Sequence, residues 1–160
     1  MSRCLDWVAM VVIAPAIGSA GAGRLDAADA IPPHRAAGQP VQTVKIRIVA
    51  EGAVLTATLD DHPTARALLA LLPLQLTLED YAATEKISDL PKQLPTEGSP
   101  PGTEPAAGDL AYYAPWGNLA VFHRPFRYSP GLVRLGRIDG DIGVLRRRGA
   151  LRVRIERVED

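Results

Sequence analysis

From residue 43 onward, apolar and polar positions alternate with a period of two over several short stretches, which predicts β-strands with one buried and one wet face. Val44, Ile46 and Ile48 alternate with Lys45 and Arg47. Glu51-Gly52 marks a reversal, after which Leu55, Ala57 and Leu59 alternate with Val54, Thr56 and Thr58. Leu74, Leu76 and Leu78 alternate with Gln75, Thr77 and Glu79, and Lys86 to Leu90 is a further, less regular strand. Val133 to Ile138 and Leu151 to Ile155 complete the set, the last with Leu151, Val153 and Ile155 inward and Arg152, Arg154 and Glu156 outward.

The densest stretch is Gly108 to Tyr128, GDLAYYAPWGNLAVFHRPFRY, which holds six of the eight aromatic residues of the chain. It reads as a hairpin: a strand from Asp109 to Ala114, a turn at Pro115-Trp116-Gly117-Asn118, and a strand from Leu119 to His123. Pro fixes φ in such a turn, while Gly and Asn tolerate positive φ. The strand residues are apolar, small or β-favouring, as burial of one or both faces requires.

Helical spacing is confined to short pieces. Asp60-Asp61-His62-Pro63 opens a helix in which an Asp serves as the N-cap and Pro occupies the first turn. The helix runs from Thr64 to Leu72, with Ala65, Leu68, Leu71 and Leu72 as its apolar stripe, and Pro73 ends it. A second short helix is expected from Ile142 to Arg147. Pro91 to Gly108, rich in Pro, Gly, Ser and Thr, reads as a long surface loop or flap. Many short strands with at most two helices point to a closed or nearly closed barrel.

Composition narrows the possibilities. The chain of 160 residues is 47% hydrophobic with a formal net charge of zero, enough for a core and without the basic excess of a nucleic-acid binder. Cys4 is the only cysteine, which rules out a disulfide framework within the chain and a Cys-rich zinc site. Three histidines stand without carboxylate or cysteine clustering, so neither a metal centre nor any other cofactor is expected. There is no GxSxG elbow, and the glycines at 136, 140 and 143 do not form a phosphate-binding GxGxxG.

At the N-terminus, Arg3 precedes the apolar run from Trp7 to Ile17, followed by small residues to Gly23. This is the pattern of a secretory signal peptide over residues 1–30, cleaved after Ala22 or Ala30. The run is too short for a membrane span, which needs about 20 apolar residues. Residues 31–42, with Pro32, Pro33, Gly38 and Pro40, read as a flexible tether, and residues 43–160 as the folded domain. Export to the periplasm or beyond follows from the signal, and a cytoplasmic location if the signal is not used.

Three segments together carry a resemblance: EGAVLTATLDDHPTARALLALLPLQLTLEDY, then GDLAYYAPWGNLAVFHRPF, then GLVRLGRI. They resemble the small prokaryotic cyclophilin-like proteins, in the same order along the chain. The resemblance implies a mainly β fold: a closed, eight-stranded cyclophilin-like barrel with one or two short helices. Cyclophilins isomerise X-Pro bonds with an arginine on a Phe-His-Arg strand beside an apolar pocket. Phe122-His123-Arg124 spells those residues, but by chain order it falls on a later strand pair. The segment that corresponds to the arginine strand, Lys86 to Leu90, contains no arginine. The resemblance therefore assigns no catalytic residue.

If the barrel keeps a groove, its candidate ligand-binding residues are Tyr113, Trp116, Phe122 and Arg124, with Phe122 as the apolar floor. Each has a plainer reading: the aromatics as core packing, His123-Arg124 as a solvated strand end, Asn118 as a turn residue, His62 as a surface residue. Arg146-Arg147-Arg148 reads as a solvated helix end. Two functions remain in play: a peptide or small-ligand binding module without chemistry, or a prolyl isomerase with a displaced arginine such as Arg124 or Arg134. A deep apolar groove with a guanidinium at its rim favours the isomerase, and a filled surface favours the module. A structural role in a larger complex is a third.

Overall fold

The computed structural model describes residues 43–158. The expected signal peptide and the expected tether lie outside them. Among the described residues ten strands form: β1 (Val44–Ala50), β2 (Ala53–Leu59), β3 (Leu74–Tyr81), β4 (Glu85–Asp89), β5 (Gly102–Thr103), β6 (Asp109–Tyr113), β7 (Asn118–Phe122), β8 (Ser129–Pro130), β9 (Leu132–Asp139) and β10 (Leu151–Arg157). Eight of them close a barrel in the order β1-β10-β3-β4-β7-β6-β9-β2. Every pairing in it is antiparallel. Closure leaves no edge strand in the barrel, which removes the hazard of an open sheet.

The two-residue alternation decides which side chains fill the interior. Ile46 and Ile48 on β1, Leu55 and Ala57 on β2, and Val153 and Ile155 on β10 share one buried cluster with Leu119 and Val121 on β7. Gly136 on β9 lies where a side chain has no room, because an added Cβ would collide with the Thr58 carbonyl oxygen and come within 2.8 Å of the Leu59 Cα.

Both ends of the barrel are plugged. The helix α1 (Pro63–Ala70) leads from β2 to β3 and buries Ala65 and Leu68 in the core. Its N-cap is His62, not an aspartate: the ring accepts from the Ala65 amide while Nε2 pairs with the Arg134 carbonyl. The predicted second helix is a four-residue 3-10 turn, Gly143–Arg146, which inserts Val144 and Leu145 between β9 and β10 at the opposite end. The Pro91–Gly108 segment is more than a surface flap. Leu94 is buried, its amide donates to the Tyr112 hydroxyl inside the barrel, and the Ser99 and Thr64 hydroxyls pair at 3.0 Å. Further along, β5 pairs with β8.

Strands β6 and β7 are buried on both faces. Leu110, Tyr112, Leu119 and Val121 point into the barrel, whereas Ala111, Ala120 and Phe122 join a second apolar cluster on its outside. That outer cluster is where the candidate site lies.

Candidate functional site

The outer face of β4, β7 and β6 forms the floor of a cavity of about 260 Å³. Ile87, Ala120 and Phe122 supply the apolar floor. The register sets Glu85 directly across from Phe122 and Ile87 across from Ala120. Tyr81, at the end of β3, pairs with Glu85. On the other side stand Tyr113, Leu132 and the segment between β7 and β9, which contributes Phe126, Arg127 and Ser129.

Trp116 covers one flank. It is carried by the tight turn after β6, whose amides at Trp116 and Gly117 both donate to the Tyr113 carbonyl. Its ring is edge-on to Tyr113 at 5.4 Å and also edge-on to Tyr81 at 5.4 Å, geometries that favour aromatic pairs. Even so, Trp116 remains 55% exposed, so the wall it makes presents ring surface to solvent as well as to the cavity.

Two polar groups sit in this apolar setting. Glu85 is only 9% exposed, and its Oε2 accepts from the Thr84 hydroxyl at 2.8 Å. It has no ion-pair partner among the described residues. Burial pushes its carboxyl above the ordinary carboxylate range, against the smaller opposing effect of the Thr84 hydrogen bond. Asn118 is 2% exposed and its Oδ1 has no hydrogen-bond partner. A buried acceptor left this way is costly unless a ligand or water supplies a donor.

Of the four residues singled out in the sequence, Tyr113, Trp116 and Phe122 line this one cavity and Arg124 does not. Arg124 is exposed beyond the end of β7, where its amide and that of His123 both donate to the Thr84 carbonyl. The guanidinium at the cavity belongs instead to Arg127, 5.2 Å from the centre of the Phe126 ring. Arg134 is engaged elsewhere, paired with Asp60 at 2.8 Å. Asn118 is the first residue of β7 rather than a turn residue, so pleating turns its side chain outward into the cavity. Tyr81 and Glu85 gave no local signal, since only the pairing of β3, β4 and β7 assembles them beside Phe122.

A second polar cluster lies at one end of the barrel. Lys86 is fully buried; its Nζ donates to Asp80 at 2.6 Å and to the Gly149 carbonyl at 2.7 Å, and the Gly149 amide returns a bond to Asp80. Nearby His123 is 7% exposed, not the solvated strand end its neighbours in the sequence imply, and its Nδ1 has no partner. Burial lowers its pKa, assisted by Arg124 and Lys86, with Asp80 opposing and Arg146 adding to the downward push. This cluster ties β3 and β4 to the approach of β10.

Comparison with known proteins agrees with this fold. No curated protein matches the chain. The solution structure of a hypothetical protein from Archaeoglobus fulgidus is similar, with a TM-score of 0.56 and 20% sequence identity over 76% of this chain and 100% of that one. At that identity the likeness concerns the fold. A family model described as the cyclophilin-like family matches residues 48–156. The chain thus belongs to the cyclophilin-like family.

Proposed function

We propose that this protein is a binding module that holds a peptide segment or small ligand in the outer groove, without covalent chemistry of its own. The observation that carries this reading is the groove itself. It is an apolar hollow walled by aromatic rings and lined by two buried polar residues, Glu85 and Asn118, the second with an unpartnered Oδ1. At about 260 Å³ it is slightly smaller than pockets for drug-sized molecules, about 300–1,000 Å³, and suits one side chain or a small fragment. The strand corresponding to the arginine strand of cyclophilins presents Glu85 and Ile87 to the groove instead. We propose further that the apolar run from Trp7 to Ile17 exports the protein, on the sequence pattern alone.

A second reading has its own support. Arg127 lines the same cavity and carries its guanidinium over the Phe126 ring, and a guanidinium beside the groove is the feature a prolyl isomerase with a displaced arginine requires. Isomerisation needs little more than a donor toward the proline nitrogen and a dry pocket. One titration separates the two readings. A short peptide containing an Ala-Pro bond is added to isotopically labelled protein, and both amide shifts and cis–trans exchange are followed by NMR. The binding module predicts shifts at Tyr113, Trp116 and Phe122 with unchanged exchange. Accelerated exchange that disappears in Arg127→Ala establishes the isomerase.

A further inference from the structure

We propose that the occupant of the groove is a lysine side chain presented by an extended peptide, its ammonium held by Glu85 and a peptide N–H of its backbone received by Asn118. The inference rests on the groove being a binding site and goes on to name the chemistry it selects.

Charge supplies the first argument. A carboxylate buried in apolar surroundings without a cation is unfavourable, and a ligand ammonium offsets that cost directly. The rings around it point the same way: Tyr81 and Phe122 flank Glu85 across the strands, and Trp116 stands against Tyr81. Aromatic rings attract a cation through their quadrupoles. Arg127 reaches the cavity from the segment between β7 and β9 and forms no ion pair with Glu85 among the described residues.

The fit favours lysine over arginine. The Thr84 hydroxyl donates to Oε2 of Glu85, which leaves Oε1 as the carboxylate oxygen without a hydrogen bond among the described residues. A guanidinium fork is matched to both oxygens of a carboxylate, whereas an ammonium is a point charge that one oxygen can satisfy. Between Glu85 and Asn118 the floor is Ile87 and Ala120, an apolar path for the methylene stem of a lysine.

The second acceptor argues for a peptide rather than a free amine. Asn118 and Phe122 are four residues apart on one strand, about 13 Å at strand rise, and Glu85 sits opposite Phe122. A ligand that satisfies Oδ1 of Asn118 as well as Glu85 therefore needs a second donor well removed from its ammonium. The backbone of an extended peptide provides one.

The test is a set of NMR titrations of the full chain, read at the Trp116 indole and the Glu85 amide. The probes are Nα-acetyl-lysine methylamide, the same compound acetylated at Nε, its arginine counterpart, and n-butylammonium. The lysine probe is expected to bind about tenfold or more tighter than its Nε-acetylated form, and tighter than the arginine probe. Glu85→Gln should abolish that preference, and Asn118→Leu should weaken the lysine probe while leaving n-butylammonium unchanged. Retained amide dispersion shows that each variant folds. Equal affinity for the charged and acetylated probes overturns the lysine assignment but leaves the groove as a binding site, since both still move Trp116. Affinity for n-butylammonium equal to that for the lysine probe overturns the peptide assignment. No shift at Trp116 or Glu85 from any probe, nor from the Ala-Pro peptide, removes the binding reading altogether.

Discussion

Glu85 and Lys86 are consecutive residues of opposite charge that face away from each other through the wall of the barrel. Strand pleating sends Lys86 inward, where it is fully buried against Asp80, and Glu85 outward into the aromatic groove. One peptide bond thus separates a buried cation that has found its carboxylate from a buried carboxylate that has found only a hydroxyl. The inner residue serves the fold and the outer one gives the groove its chemistry.

Glu85→Gln is expected to stabilise the free protein at neutral pH, by about 1 kcal/mol or less. Because burial raises the folded-state pKa, the wild type is relieved of this cost below the ordinary carboxylate pKa, about 4.3. It loses stability as pH rises through the higher folded value. Glutamine keeps the Thr84 hydrogen bond and has no charge to desolvate. Urea midpoints for both proteins between pH 4 and 8 should diverge as pH rises; parallel curves would show that Glu85 is hydrated.

Removing one partner of the Lys86–Asp80 pair should depend strongly on which partner is removed. Asp80→Asn leaves the Lys86 ammonium buried with carbonyl acceptors but no counter-charge, a costly arrangement. Lys86→Met replaces the charge with an apolar chain of similar length and leaves Asp80 partly exposed to water. Thermal denaturation should therefore show the larger loss in Asp80→Asn. The reverse order would mean that the amine reaches solvent.

His123 should make the protein sensitive to mild acid. Its folded-state pKa is lowered, first by burial and then by Arg124 and Lys86, so the unfolded chain takes up the proton first as pH falls. Stability is full above the unfolded value, about 6.5, and is lost as pH falls through the folded value. His123→Asn should flatten the difference in stability between pH 8 and pH 5 relative to wild type. An unchanged slope would assign that sensitivity to other groups.

The hairpin joining β3 to β4 carries strain. Ala82 and Ala83 both have positive φ, 47° and 57°, a region that disfavours residues with a Cβ by about 1–2 kcal/mol each. Ala83→Gly should relieve part of this and raise stability by about 0.5–1 kcal/mol after the entropy lost by glycine. A fall in the denaturation midpoint would contradict the left-handed conformation at that residue.

The alternation of side chains determined most of the architecture by itself. Period two set the strands from Val44 to Ile48, Leu55 to Leu59 and Leu151 to Ile155, and with them the interior face, because a strand slipped by one residue exposes its whole apolar set. The cluster of aromatics around Pro115-Trp116-Gly117 likewise marked the hairpin and three residues of the groove, Tyr113, Trp116 and Phe122.

The sequence did not determine which distant groups would meet. YAATEK contains no Gly, Asn or Pro to announce a reversal at Ala82-Ala83, so nothing local foretold that Tyr81 and Glu85 would stand beside Phe122. Arg124 follows Phe122 closely in the chain and still misses the cavity, because the segment beyond β7 turns Arg127 toward it instead. Alternation is a property of neighbours along one strand, and the period reports it. A groove is built from residues on strands paired across the barrel, and their company is settled only when closure fixes every register at once.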